Sequence, residues 1–227
     1  MDFIFDVSGL ASDEESFSNS KKDVLKYLKI IGVDSRFISY IPSKIYINNL
    51  RFSKFSRKRQ ETFNKQFPEI EVVRNSLFQK ICSKSAKTLS DIKPNSTILI
   101  PDGNFMIDII LEPYTRKYGV KLVHEGEYDL VANPVILDDE VNRIFSTIFS
   151  GGGIDFNKKE NEICPLINVP LNWINSFLEM DGKSKIKNEN NDELASSFMD
   201  FLEDVAPQYR ENVLKASEFI EKKLKVK

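Results

Sequence analysis

Carboxylates recur just past the apolar runs of this chain, and they are its first candidates for chemistry. Asp6 closes FIFDVSG and Asp102 closes TILIPDG, while Asp108 follows six residues later inside a helix-period segment. Glu125, Glu127 and Asp129 crowd the exit of VKLVH. Carboxylates that converge with open coordination positions bind Mg²⁺ or Mn²⁺, hard cations that favour oxygen ligands and keep water. Such an ion can generate hydroxide and stabilise the charge that builds up in phosphodiester cleavage. Each of these acids, taken alone, reads more plainly as a solvated loop residue, Asp6 being the most evenly balanced, and only convergence would distinguish the two.

A basic stretch is the second feature. RFSKFSRKRQETFNKQF (51–67) carries Arg51, Lys54, Arg57, Lys58, Arg59 and Lys65 against the single acid Glu61, with four Phe interleaved. Cations in such a run can grip a nucleic-acid backbone without sequence preference, which makes RNA a candidate partner. The Phe residues packing inward beneath a solvated cationic face is the plainer reading. Pairing with acids elsewhere, or across an oligomer interface, is a third. The stretch 124–140 has six acids and no Lys or Arg. His124, the only histidine, ends a strand-like run beside these acids. GGG at 151–153 reads as a helix stop, and Trp173 sits among helix-spaced apolar residues as a core residue does.

Elements must position these groups. Runs of strand length, FIFDV (3–7), RFISYI (36–41), EIEVV (69–73), TILIPDG (97–103) and VKLVH (120–124), alternate with helix-period segments at 13–31, 43–67, 76–92 and 105–119. The alternation predicts an α/β fold, a three-layer parallel sheet of about five strands joined by right-handed crossovers. Ligands of such sheets sit beyond the carboxyl ends of the strands. That is where Asp6, Asp102 and the 125–129 acids fall. From about 135 the pattern turns to helices only, at 138–149, 170–180, 194–205 and beyond Pro207. The predicted division is an α/β domain over 1–134 and a helical C-terminal region over 135–227, whose amphipathic helices suit a protein partner or a second copy.

The bulk composition narrows the classes. Net charge is −2 over 227 residues, so nucleic-acid binding must come from a local patch. Two distant cysteines, Cys82 and Cys164, without CxxC spacing, fit reduced thiols and a cytoplasmic location. No apolar run approaches the roughly 18 residues of a membrane span, and Asp2 and Asp6 interrupt what would be a signal segment.

Three segments carry a resemblance. FIFDVSGLAS, FISYIPSKIYINNL and MIDIILEPYTRKYGVKLVHEGEYDL resemble the successive motifs of PIN-domain nucleases: a first strand ending in Asp with Ser two residues on, a strand and Pro entering a helix, and an Asp-bearing helix leading to a strand with a second acidic cluster. The resemblance covers about the first 130 residues. It implies Asp6 and Asp108 as metal ligands, Ser8 as a supporting hydrogen-bonding group, and a last acid from Glu125, Glu127 or Asp129. Asn48 and Asn49 stand where that family carries a Glu, and Gly126 where it carries an Asp. The implied function is a ribonuclease dependent on Mg²⁺ or Mn²⁺, or an inactive descendant, acting in RNA processing. SGLASDEES has a fainter likeness to the phosphate loop of PP-loop ATP pyrophosphatases, which would imply an adenine-nucleotide enzyme. A non-catalytic subunit of a larger assembly is the third alternative.

Overall fold

A computed structural model describes residues 13–90, 92–101, 103–153, 161–187, 192–206 and 208–224. The first expected strand, 3–7, lies outside these residues. Helix α1 (Asp13–Ile30) ends at Gly32, whose φ of +77° lets Val33 N–H return to the Leu28 carbonyl at 2.8 Å. A 3₁₀ turn leads into β1 (Ile38–Ile41), and β2 (Lys44–Ile47) returns antiparallel with Ile41 opposite Lys44. Pro42 and Ser43 are therefore the two turn residues. Next come α2 (Leu50–Ser53), α3 (Arg57–Gln66) and β3 (Glu71–Val73), which pairs parallel with β2.

The second half begins with α4 (Ser76–Ser85) and β4 (Thr97–Leu99), followed by α5 (Phe105–Leu111), α6 (Tyr114–Lys117) and β5 (Lys121–Val123). After β6 (Leu130–Ala132) come α7 (Leu137–Phe149), β7 (Glu162–Ile163) and α8 (Leu171–Met180). Helices α9 (Glu193–Val205) and α10 (Tyr209–Leu224) follow. Asparagine side chains start three of the helices: Asn49 takes the Phe52 N–H, Asn75 the Leu77 and Phe78 N–H groups, and Asn104 the Ile107 N–H.

The expected α/β class with C-terminal helices is present, and a parallel sheet lies among helices. Its composition differs from the expected one. Among the described residues the parallel sheet has four strands, in the order β5-β4-β6-β7, against the five expected with the undescribed 3–7 run among them. The runs 36–41 and 69–73 belong instead to a separate sheet, β1-β2-β3. Strands β2, β6 and β7 replace a stretch read as helical, a loop and part of an all-helical region. Because β7 joins β6 and α8 sends Ile174, Phe177 and Leu178 into the central core, sheet and core extend past residue 134.

Alternation along the β1–β2 hairpin explains how two cores share one sheet. Ile38, Tyr40, Ile45 and Ile47 point to a core with Val24 and Leu28 of α1 and Phe55 and Phe63. Tyr46 points to the other side, into the central core with Phe78, Ile98 and Phe177. A third core joins α7, α9 and α10. One buried carboxylate clasps the first two units. Glu112 accepts the Tyr40 N–H at 3.0 Å and the Arg116 guanidinium, and lies 3.2 Å from the Lys21 ammonium. Arg116 also donates to the Ile38 and Ser35 carbonyls.

Candidate functional site

The carboxyl edge of the parallel sheet is where β4 and β5, paired in parallel, both end. The chain leaves β4 through Gly103 (φ +77°) and enters α5 under the Asn104 cap, which places Asp108 in the first turn. His124 follows directly on β5, and its Nε2 lies 3.6 Å from Asp108 Oδ1. Burial raises the Asp108 carboxyl above the usual carboxylate range, and the charge of His124 works against that rise. An acid and an imidazole side by side are residue types that proton transfer can use.

The other predicted acids do not join it among the described residues. Glu125 and Glu127 are exposed on the loop after β5. Asp129 sits at the amino end of the sheet: its carboxylate accepts the Thr97 N–H at 2.7 Å, and its own N–H returns to the Thr97 carbonyl at 2.9 Å. Thr97 opens β4, so Asp129 and Asp108 lie at opposite strand ends. Asp6, Ser8 and Asp102 lie outside the described residues, as does the glycine of the SGLA segment. No group of three His, Cys, Asp or Glu able to hold a metal occurs among the described residues. The described part of the ligand set that the PIN resemblance implies therefore does not by itself fit a divalent ion. Asn48 and Asn49 are engaged elsewhere, Asn48 with the Ser39 hydroxyl at 2.9 Å and Asn49 as the α2 cap.

The basic stretch separates into two kinds of residue. Phe55 and Phe63 are fully buried, and Arg51, Lys54, Arg57 and Lys58 are exposed at the α2–α3 junction. Lys54 holds a left-handed backbone (φ 55°), uncommon for a residue with a side chain. Arg59 is half-buried and turns back: its guanidinium donates to the Lys54 carbonyl and covers Gly32, where a Cβ would come within 2.9 Å of it. Phe52 is 53% exposed, with the Arg51 guanidinium 5.9 Å from its ring. The surrounding lobe, residues 21–74, carries 13 Lys and Arg against five Asp and Glu.

A cavity of about 510 Å³ between α7, α8 and the start of α10 escaped sequence reasoning. Asp138, Trp173, Glu203, Arg210 and Glu211 border it. Asp138 accepts the Leu171 N–H at 2.6 Å and lies 2.9 Å from Arg210 Nε, while Glu203 also pairs with Arg210. The cluster DDE at 138–140 is the visible signal in the sequence, but it reads there as first-turn acids favouring a helix dipole. All three acids are buried, and Asp138 meets the start of α8 at the Leu171 N–H and α10 at Arg210. Trp173 packs on the central core, as its spacing implies, with the Lys84 ammonium 5.5 Å from its ring. Gly151 and Gly152 end α7 by donating to the Ile148 and Thr147 carbonyls, the expected helix stop.

No helix among the described residues is long and apolar enough to cross a membrane. No protein-family model matches the chain, and no curated protein does either.

Proposed function

We propose that this chain is an RNA-binding protein on a PIN-like framework, holding the phosphate backbone with the α2–α3 junction. The observation that carries the reading is charge segregation. A chain of net charge −2 concentrates 13 cations against five acids in residues 21–74, and four of those cations stand exposed within eight positions. Phosphate contacts supply affinity without reading sequence, so a cluster of this kind needs no base-specific geometry. Phe52, exposed beside Arg51, offers a ring face to an unpaired base, which favours single strands over duplex. The test is fluorescence anisotropy with a labelled single-stranded RNA. The double reversal Arg57→Glu with Lys58→Glu is expected to weaken binding at least ~10-fold. Reversal of the exposed Lys121 on β5 should leave binding unchanged. Equal loss from both would reduce the lobe to a general charge effect and sink the reading.

A ribonuclease activity is the second reading, and Asp108 is what favours it. A carboxyl held above its usual range beside an imidazole, at the ligand-binding edge of a parallel sheet, is a functional-site signature. RNA cleavage stimulated by Mn²⁺ or Mg²⁺ and abolished in Asp108→Asn, with RNA binding retained, is the expected result. Cleavage that persists in Asp108→Asn, or no cleavage with either ion, contradicts it.

A further inference from the structure

A cavity of about 270 Å³ lies between α3 and the exit of β3, on the same lobe as the exposed cations. Arg57, Gln60, Glu61 and Asn64 of α3 border it, together with Arg74, the residue that follows β3. Two guanidiniums and two carboxamides thus share the cleft with a single carboxylate. Arg74 is the recessed member. It is half-buried, its guanidinium lies 5.9 Å from the Phe55 ring, and it donates to the Phe55 carbonyl and to Gln60 Oε1.

Both acceptors are neutral, and among the described residues neither Arg74 nor Arg57 is in an ion pair with a carboxylate. Arg116 is half-buried too, but the fold supplies it with Glu112. Burial and the charge of Arg57 pull the Arg74 guanidinium below its ordinary arginine value. A cation withdrawn from water beside a second cation costs free energy until an anion joins them. Guanidiniums take phosphate oxygens through paired N–H donors, so phosphate is the anion whose shape they match. With Oε1 on Arg74, the Gln60 amide keeps two N–H donors, and Asn64 brings two more. An internal phosphodiester carries one charge and has a nucleoside on each side, which suits the rim, where Arg57 stands exposed. A terminal phosphomonoester carries almost twice that charge at neutral pH and has three free oxygens and one flank. It can therefore enter the cleft and reach Arg74 as well.

We propose that this cleft captures the phosphorylated end of an RNA strand, Arg57 and Arg74 holding the terminal phosphomonoester while the remaining exposed cations hold the adjoining backbone. The inference rests on the RNA reading above and adds to it that the strand is held by its end.

Fluorescence anisotropy of the full chain tests this with one single-stranded RNA, labelled at an internal base and carrying a 5′ phosphate, a 3′ phosphate or hydroxyls at both ends. One of the phosphorylated forms is expected to bind at least ~10-fold tighter than the hydroxyl form at neutral pH. Arg74→Gln should bring the ratio of those two affinities to unity. Asn64→Asp, an exposed change on α3 that adds a second acid to the cleft, should lower the same ratio, and it serves if Arg74→Gln fails to fold. RNA bound equally well with and without a terminal phosphate overturns the proposal and leaves the RNA reading standing. A preference that survives both substitutions overturns it by placing the end elsewhere. No binding of any of the three RNAs overturns both readings. Calorimetric binding of inorganic phosphate alone, without an end preference for RNA, overturns it in favour of a free anion.

Discussion

Burial and the neighbouring imidazole act on the Asp108 carboxyl in opposite senses, and burial has the larger effect. Burial raises its carboxyl above the unfolded value of about 3.8 while His124 lies 3.6 Å away. A carboxyl with a raised folded value favours folding only while it is protonated, and that contribution is lost as pH rises through the folded value. Asp108→Asn is therefore expected to raise Tm at neutral pH relative to wild type, and the gap should close as pH falls into the acid range. A Tm difference that is constant with pH would contradict the placement. Asp34 and Glu211 behave in the opposite sense. Arg36 lowers the first and Lys84 the second, so each adds stability above its unfolded value and loses it on acidification. Glu112 answers to geometry instead. Removing it in Glu112→Ala strands the largely buried Arg116 and the Tyr40 N–H, at a cost of about 3 kcal/mol measurable by urea unfolding. The acid types and their positions after strands are legible in the sequence. The partner of Asp129 is not, because its bond to Thr97 exists only once β6 lies beside β4.

Element boundaries show what periodicity resolves and what it does not. The segments at 13–30, 76–85, 137–149 and 171–180 form helices close to where apolar spacing places them. Strand β2 falls inside the stretch 43–67 that reads as helical, although Ile45, Tyr46 and Ile47 are a short run of strand-favouring residues directly after a Pro turn. Its three apolar residues are all buried because two cores flank the hairpin, so no apolar–polar alternation marks it. Strands β6 and β7 have three and two residues, too short for any periodic signal, and their pairing with distant strands makes them strands. The basic run divides by packing. Phe63 is fully buried on α3 and holds the cationic helix to the β1–β2 hairpin. Phe63→Ala is expected to cost about 3–5 kcal/mol by urea unfolding. RNA binding at temperatures where the variant is still folded should survive, since the exposed cations are unchanged.

Across the whole molecule, charge and apolar exposure are distributed unevenly. Residues 21–74 are strongly basic, whereas 192–205 are wholly acidic among their charged residues. Most cations of the first lie on α1, α2 and α3, which pack over the hairpin sheet of the same segment, and the second lies on a helix with an exposed apolar stripe. Segment composition alone makes both charge biases legible. Which cations face solvent is not legible in it, because Arg59 is drawn back onto Gly32, a left-handed turn 27 residues earlier in the chain. The central claim is that Arg51, Lys54, Arg57 and Lys58 carry the RNA contact. The most direct test is the slope of the logarithm of the RNA binding constant against the logarithm of salt concentration. Four phosphate contacts to a single strand predict a slope of about −3 for wild type, falling towards zero when all four are replaced by Ala. A slope that the four substitutions leave unchanged, or no binding at low salt, would contradict it.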